Sequence, residues 1–484
     1  MFIGREQELR FFEDKYKTKG GQLIVLYGRR RVGKTELLHK FCEGKPHVFY
    51  SCRETTDEKQ IKAFSQRLLG SGIPASQYID VFPDWERALH SVTELPANGA
   101  KRLLIIDEFP YMCKGNPSIP SLLQNLWDET LKDQEIMIIL CGSSMSFIEK
   151  ELLSEKKPLY GRATGIYKMN AMPFYDAVKF FPDYSDLDKV LAYAILGGIP
   201  HYLCQFDLNL TLGENIVKNI LTKGCVLYSE VEFLLRQELR EVALYNTLIE
   251  AIAMGNTMLN DIYSKTQIDK SKISVYLQNL IKLEIIQREF PVLTGDKEKV
   301  SQTRGLYSIT DNFFAFWFKF VFTSLSDLEA GDAEGVYRHF VLPQLNEFAS
   351  PVFEHICREF VKKQNREGKL SFRAAQVGRW WGKAKREETS ANGKTKLISY
   401  ETEIDVMAID KGAKNVFLGE CKFRNSEVIA ADYEKLAQKH PPLDPAAKIT
   451  YGLFSKSGFS PGLLDKSEKN SDILLYTLAD LMSC

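Results

Sequence analysis

The chain has 484 residues, 44% of them apolar and 26% charged; at ~100 to 200 residues per domain this predicts three domains, with two or four open, and excludes both a single small module and a mostly disordered chain. Lysine plus arginine equal aspartate plus glutamate at 63 each, which excludes nucleic-acid binding by bulk positive charge and leaves local patches open. The nine cysteines form no Cys-x-x-Cys pair and no Cys/His cluster at metal-ligand spacing, and the N-terminus is charged by its fifth residue, so a reduced, cytoplasmic setting without a secretory leader is expected.

From residue 23 to about 146, short apolar runs alternate with polar, helix-like stretches: LIVLY (23–27), HVFY (47–50), RLLIID (102–107) and IMIILC (136–141). Runs that are apolar on both faces predict buried parallel strands in an α/β sheet. The first run leads into Gly28-Arg29-Arg30-Arg31-Val32-Gly33-Lys34-Thr35 and then a helical pattern. This is the strand, glycine-rich loop and helix of a phosphate cradle. Its amides converge on phosphate, Lys34 reaches the β and γ oxygens of ATP, and Thr35 can ligate Mg²⁺.

The 102–107 run ends in Asp107-Glu108, 73 residues after Lys34. Asp107 is the metal-side candidate, with Thr35, and Glu108 the candidate general base for an attacking water. The 136–141 run ends in Gly142-Ser143-Ser144, where Ser143 is either a sensor of the γ-phosphate or an ordinary turn-former. Arg162, in Pro158-Leu-Tyr-Gly161-Arg162, either stabilises transferred charge in cis or serves in a cap or salt bridge.

Residues 173–231 read as helices. From about 240 to 310, three short helical periods precede two extended stretches, IIQREFPVL and RGLYSIT, the order of a winged helix-turn-helix. In 271–282, Ile273, Tyr276, Leu277, Leu280 and Ile281 fall on one face and leave Lys272, Ser274, Gln278 and Lys282 outward. That face can enter a DNA groove, with Lys297, Lys299 and Arg304 of the wing on phosphates, or pack against protein. The aromatic run 313–322 contains Lys319 and is too short for a bilayer span, so it reads as a buried helix with no membrane partner.

A helix over about 343–363 then precedes strand candidates at 371–377, 401–410, 414–422 and 447–454, a separate α/β block with its boundary near 325–340. Glu354 on the helix, Asp405, and Glu420 with Lys422 on one strand face form a second constellation. The three carboxylates are candidate metal ligands and Lys422 a candidate catalytic residue, with ordinary charged edge strands as the alternative. Residues 361–400 hold eleven lysines and arginines against three acids, a footprint suited to a phosphate backbone. The Trp380-Trp381 pair within it either stacks on bases or anchors a strand.

Several of these elements together resemble the archaeal-type ATPase family, of the signal-transducing STAND branch of AAA+ P-loop ATPases: Phe2-Ile-Gly4-Arg5-Glu-x-Glu-Leu9, GRRRVGKT, IIDEF, LCGSSMSFIEKELL, PLYGR and Leu196-Gly197-Gly198-Ile199-Pro200. The resemblance covers about residues 1–325. It implies an α/β multidomain chain: a P-loop AAA+-like parallel-sheet core (1–172), a helical lid (173–231) and a winged helix-turn-helix (232–325). It also implies the G-G-x-P region near the nucleotide, and slow, switch-like ATP turnover. The 335–484 block resembles the restriction-endonuclease-like superfamily through its D…(D/E)xK pattern. Two readings follow: a switch ATPase that controls DNA binding and metal-dependent DNA cleavage, or a non-cleaving ATP-dependent regulator or scaffold. Whether the chain forms a homo-oligomer or takes a protein partner is open in both.

Overall fold

The computed structural model describes residues 2–96, 99–295, 305–389 and 395–483. The chain divides into two compact units, Met1–Asp176 with Ile199–His201, and Ala177–Gly198 with Tyr202–Cys484. The first holds residues 1–172 of the expected core together with 173–176 and Ile199–His201 from the expected lid.

In the first unit, β1 (Gln22–Tyr27), β2 (His47–Ser51), β3 (Arg102–Asp107), β4 (Ile136–Gly142) and β5 (Gly165–Lys168) form one sheet of order β2-β3-β4-β1-β5. All its pairings are parallel. β1 and β4 are buried along their whole length, as continuous apolar runs require when both sheet faces are covered. Phe64, Trp85, Phe109 and Trp127 pack with Val25, Leu104, Ile106 and Ile138 in one core. Because the strands are parallel, the residues that follow β1, β3 and β4 emerge at the same sheet edge, where α/β proteins place ligands. β5 lies outside the expected set: it is four residues long, and its Ile166 is exposed.

In the second unit, Ser185 caps the helix Asp186–Leu196 by accepting from the Asp188 amide. Helices Val242–Ala253, Leu259–Thr266 and Lys270–Lys282 precede an antiparallel pair, β6 (Ile286–Glu289) and β7 (Leu306–Ile309), in the expected order. Lys297, Lys299 and Arg304 lie outside the described residues. Asp311 accepts from the Phe313 and Phe314 amides and so starts the aromatic helix, in which Phe313, Phe314, Phe316, Trp317, Phe318 and Phe320 are buried. Trp317 Nε1 donates to the Tyr228 carbonyl at 2.8 Å. No helix among the described residues is long and apolar enough to cross a membrane.

The helix Leu342–Arg366 packs on a mixed sheet of β8 (Gln376–Thr389), β9 (Thr395–Ile409), β10 (Asn415–Lys422), β11 (Lys448–Ser455) and β12 (Ile473–Thr477), ordered β12-β11-β10-β9-β8. β8, β9 and β10 pair antiparallel, and β10, β11 and β12 pair parallel. The expected strand 371–377 is displaced: β8 starts at Gln376 and runs through the Gly378–Gly382 segment, with a register break between Gly378 and Trp380. Trp380 is 4% exposed and belongs to the sheet's core, so it anchors the strand. The chain leaving β6 is tied to this sheet. The Val292 amide donates to the Arg379 carbonyl at 2.8 Å, and Val292 packs in the same core as Trp380 and Met407. A Cβ at Gly378 would stand 2.9 Å from Val292 Cγ2, so the close approach needs glycine.

Candidate nucleotide site and C-terminal carboxylate cluster

Gly28 leaves β1 where a Cβ would stand 2.2 Å from the Met169 carbonyl oxygen, so no side chain fits. Arg31 and Gly33 take left-handed backbone (φ 69° and 91°), which turns the loop into the helix Lys34–Cys42. Arg29, Arg30 and Arg31 are half-buried, and Val32 is fully buried. Lys34 is also buried, with Nζ donating to the carbonyls of Gly28 (2.8 Å) and Arg29 (2.9 Å). Burial pulls its pKa down, against the opposing pull of Cys141, Glu108 and Asp107.

Thr35 Oγ1 donates to Asp107 Oδ2 at 2.8 Å, and Asp107 Oδ1 accepts the Glu108 amide at 3.0 Å. Glu108 adopts left-handed backbone (φ 52°) just before a helix that begins Phe109-Pro110. A non-glycine residue in that region costs of order 1 kcal/mol, a strain found where a functional side chain must be aimed. Ser143 Oγ lies 3.1 Å from both Glu108 carboxylate oxygens, so it orients this group. The residues taken from β1, β3 and β4 thus meet in one hydrogen-bonded chain. Hard oxygen donors at Thr35 and Asp107 beside a lysine suit Mg²⁺ and phosphate. Arg162 is placed otherwise: its Nε and Nη2 lie 2.9 and 2.7 Å from Asp128 Oδ2, and Nη1 donates to the Pro158 carbonyl. Of its two expected roles, the salt bridge is the one formed.

Three further residues stand at this site: Arg5 and Pro200, which entered only through the family motifs, and His201, which sequence reasoning missed. Arg5, 3% exposed in left-handed backbone, donates to the Val32 carbonyl at 2.9 Å and so braces the loop from outside. Pro200 Cγ would lie 3.8 Å from a Cβ on Gly33. His201 has its pKa lowered by burial and by the Arg31 charge. The only sequence signal for His201 is its place after Pro200.

Residues 2–206 match the family described as an ATPase domain predominantly from Archaea, and residues 317–435 match archaeal and bacterial proteins of unknown function. An uncharacterised protein of Methanocaldococcus jannaschii is 32% identical over 486 residues, covering 99% of this chain and 100% of the relative. The chain belongs to the archaeal-type ATPase family. An uncharacterised ATP-binding protein of the same organism is 56% identical over 45 residues, 9% of this chain and 76% of that one. Among solved structures, the Walker-type ATPase of Pyrococcus abyssi aligns with 22% identity and a TM-score of 0.49 over 66% of this chain and 96% of its own.

In this archaeal-type ATPase the C-terminal cluster gathers on β9, β10 and the Leu342–Arg366 helix. Asp405 is 7% exposed, and its Oδ2 accepts the Cys421 amide at 2.8 Å. Burial, then the charge of Glu420, pushes its pKa up to about 6. Burial, then Asp405, pushes Glu354 up to about 7. Arg358 donates to the Asp405 carbonyl at 3.0 Å and stands 3.6 Å from Glu354.

Glu420 is bound on both oxygens, by Lys422 at 2.7 Å and Lys439 at 2.5 Å. Burial lowers the Lys422 pKa, but Glu420, Asp405 and Asp432 together carry it above its ordinary value. Of the expected metal set, Glu354, Asp405 and Glu420 lie close enough for their charges to act on one another, with Glu420 held by two lysines. Among the described residues no group of three or more His, Cys, Asp or Glu could hold a metal. In this structure two ammonium groups satisfy Glu420, and an arginine stands beside Glu354. Of the basic stretch, Arg379 pairs with Glu403 at 2.6 Å, and the side chains of residues 385–397 lie outside the described set.

Proposed function

We propose that this chain is a slowly hydrolysing ATP switch whose nucleotide state sets the DNA binding of its winged-helix module. The observation that carries the reading is the hydrogen-bonded chain of Thr35, Asp107, Glu108 and Ser143 beside the buried Lys34. Mg²⁺, when bound, supplies positive charge beside the β and γ phosphates. Lys34 turns from its two loop carbonyls to phosphate oxygens. Glu108, held by Ser143, takes the proton of the attacking water as the bond to the leaving ADP oxygen breaks. Arg162 rests on Asp128 in this structure and is assigned no role in this step.

The C-terminal domain is read as a non-cleaving, basic DNA-binding partner of the winged helix, because Glu420 is neutralised by two lysines. Two measurements test these readings. Lys34→Ala abolishes ATP binding, and unchanged affinity in that variant overturns the site. Plasmid, linear and single-stranded DNA incubated with Mg²⁺ or Mn²⁺ stay intact; cutting that Asp405→Ala removes overturns the non-cleaving reading.

A further inference from the structure

The helix Lys270–Lys282 carries three lysines and no acid. Its inner face is fixed: Ile273, Tyr276, Leu277 and Leu280 are buried, Tyr276 OH donates to Glu241 at 2.5 Å, and Asn279 Nδ2 donates to Tyr245 OH at 2.8 Å. These contacts hold the rotation of the helix and so decide which side chains face out.

The outer face has a composition that packing does not explain. Ser271, Val275, Gln278 and Lys282 follow i, i+4, i+7, i+11 and make one straight stripe, flanked by Lys272 and Ser274. Val275 is 58% exposed in the middle of it. A β-branched residue there helps neither the helix nor the core. Ser271 is engaged in the cap, its hydroxyl 2.5 Å from Asp269. Val275, Gln278, Lys272 and Lys282 make no side-chain hydrogen bond or ion pair within the described residues.

An apolar tip beside a free carboxamide is the chemistry that reads one kind of base pair. A thymine C5-methyl takes apolar contact, and adenine N6 and N7 take a bidentate glutamine. Three residues of helix rise ~4.5 Å, and successive base pairs are ~3.4 Å apart, so positions 275 and 278 face neighbouring pairs.

We propose that this helix reads neighbouring A·T pairs in the major groove of duplex DNA. Val275 lies against a thymine methyl, Gln278 on the adenine of the next pair, and Lys272 and Lys282 on flanking phosphates. This rests on the DNA-binding reading above. The absence of acids on the helix favours the polyanion over a protein partner.

The full-length chain is used to select from a random duplex pool, and each enriched thymine is then replaced by uracil, which removes only the methyl. With the unaltered chain, one such replacement weakens binding about fourfold, the worth of one buried methyl. With Val275→Ala the uracil penalty shrinks, because the shorter side chain covers less of the methyl, and Gln278→Ala loses about tenfold at the neighbouring adenine. Val275 is exposed, so the alanine variant keeps its fold, checked by an unchanged melting temperature. Equal uracil penalties in both chains, or tight duplex binding with no enriched sequence, overturn the base-reading assignment and leave DNA binding standing. A folded chain that binds no duplex overturns both, and gives the stripe to a protein partner.

Discussion

Glu108 owes its aim to one unusual backbone angle and one serine. Replacing it with glutamine keeps shape and hydrogen bonding but removes the base, so Glu108→Gln retains ATP affinity and lowers kcat by about 10²- to 10⁴-fold, read by phosphate release beside equilibrium binding. Equal loss of binding and turnover returns Glu108 to a structural role. In the other unit, Glu354 and Asp405 have folded pKa values of about 7 and about 6, above their ordinary values. The folded state therefore holds protons that the unfolded state gives up from about pH 4 upward, and stability is lost as pH rises toward 7. The melting temperature of the second unit should accordingly climb as pH falls from 8 to 5, less so in Glu354→Gln; a parallel profile in the variant refutes the linkage. The P-loop residues were legible in the sequence because their spacing is fixed by phosphate geometry. The lysine pairing of Glu420 was not, since Lys439 lies 19 residues from its partner and only the fold brings them together.

At the scale of elements, what could be read depended on how each strand is buried. β1, β3 and β4 are apolar on both faces and gave runs with sharp ends, while the edge strand β2 alternates in burial. β5 and β12 are short and half-buried, with little pattern to find. β8 was misplaced because its charged residues and its register break mask the alternation that marks a strand. The helix Lys270–Lys282 was legible down to its faces, since helical period and burial agree at Ile273, Tyr276, Leu277 and Leu280. Between β10 and β11 a glycine is required: a Cβ on Gly452 would stand 2.1 Å from Phe417 Cζ. Gly452→Ala thus forces the ring aside and costs about 1 to 3 kcal/mol, measured by denaturant unfolding. A neutral result means that Phe417 has a second rotamer to move into.

For the whole molecule, the sequence suggests four blocks while the structure forms two units. Changes of period mark where one kind of element gives way to another; they carry no information on how strongly neighbouring blocks pack. The helix Asp186–Leu196 illustrates this, since Asn312 Nδ2 of the distant aromatic segment donates to its Tyr193 carbonyl at 2.9 Å. Ligand linkage provides a test. At 100 times its Kd, Mg·ATP stabilises the first unit by about 2.7 kcal/mol and raises that unit's calorimetric transition, an effect absent from Lys34→Ala. A shift that survives the substitution places the nucleotide elsewhere.

The bond from Val292 to the Arg379 carbonyl also bears on inheritance. An exchange of genetic material between residues 295 and 376 would join a foreign three-helix module to a sheet whose edge glycine, Gly378, is cut to the shape of Val292. Such a hybrid keeps every element of both parents and fills the β8 core only if its residue at 292 packs there as Val292 does. The packing between Val292 and Gly378 thus depends on residues from both sides of such a junction.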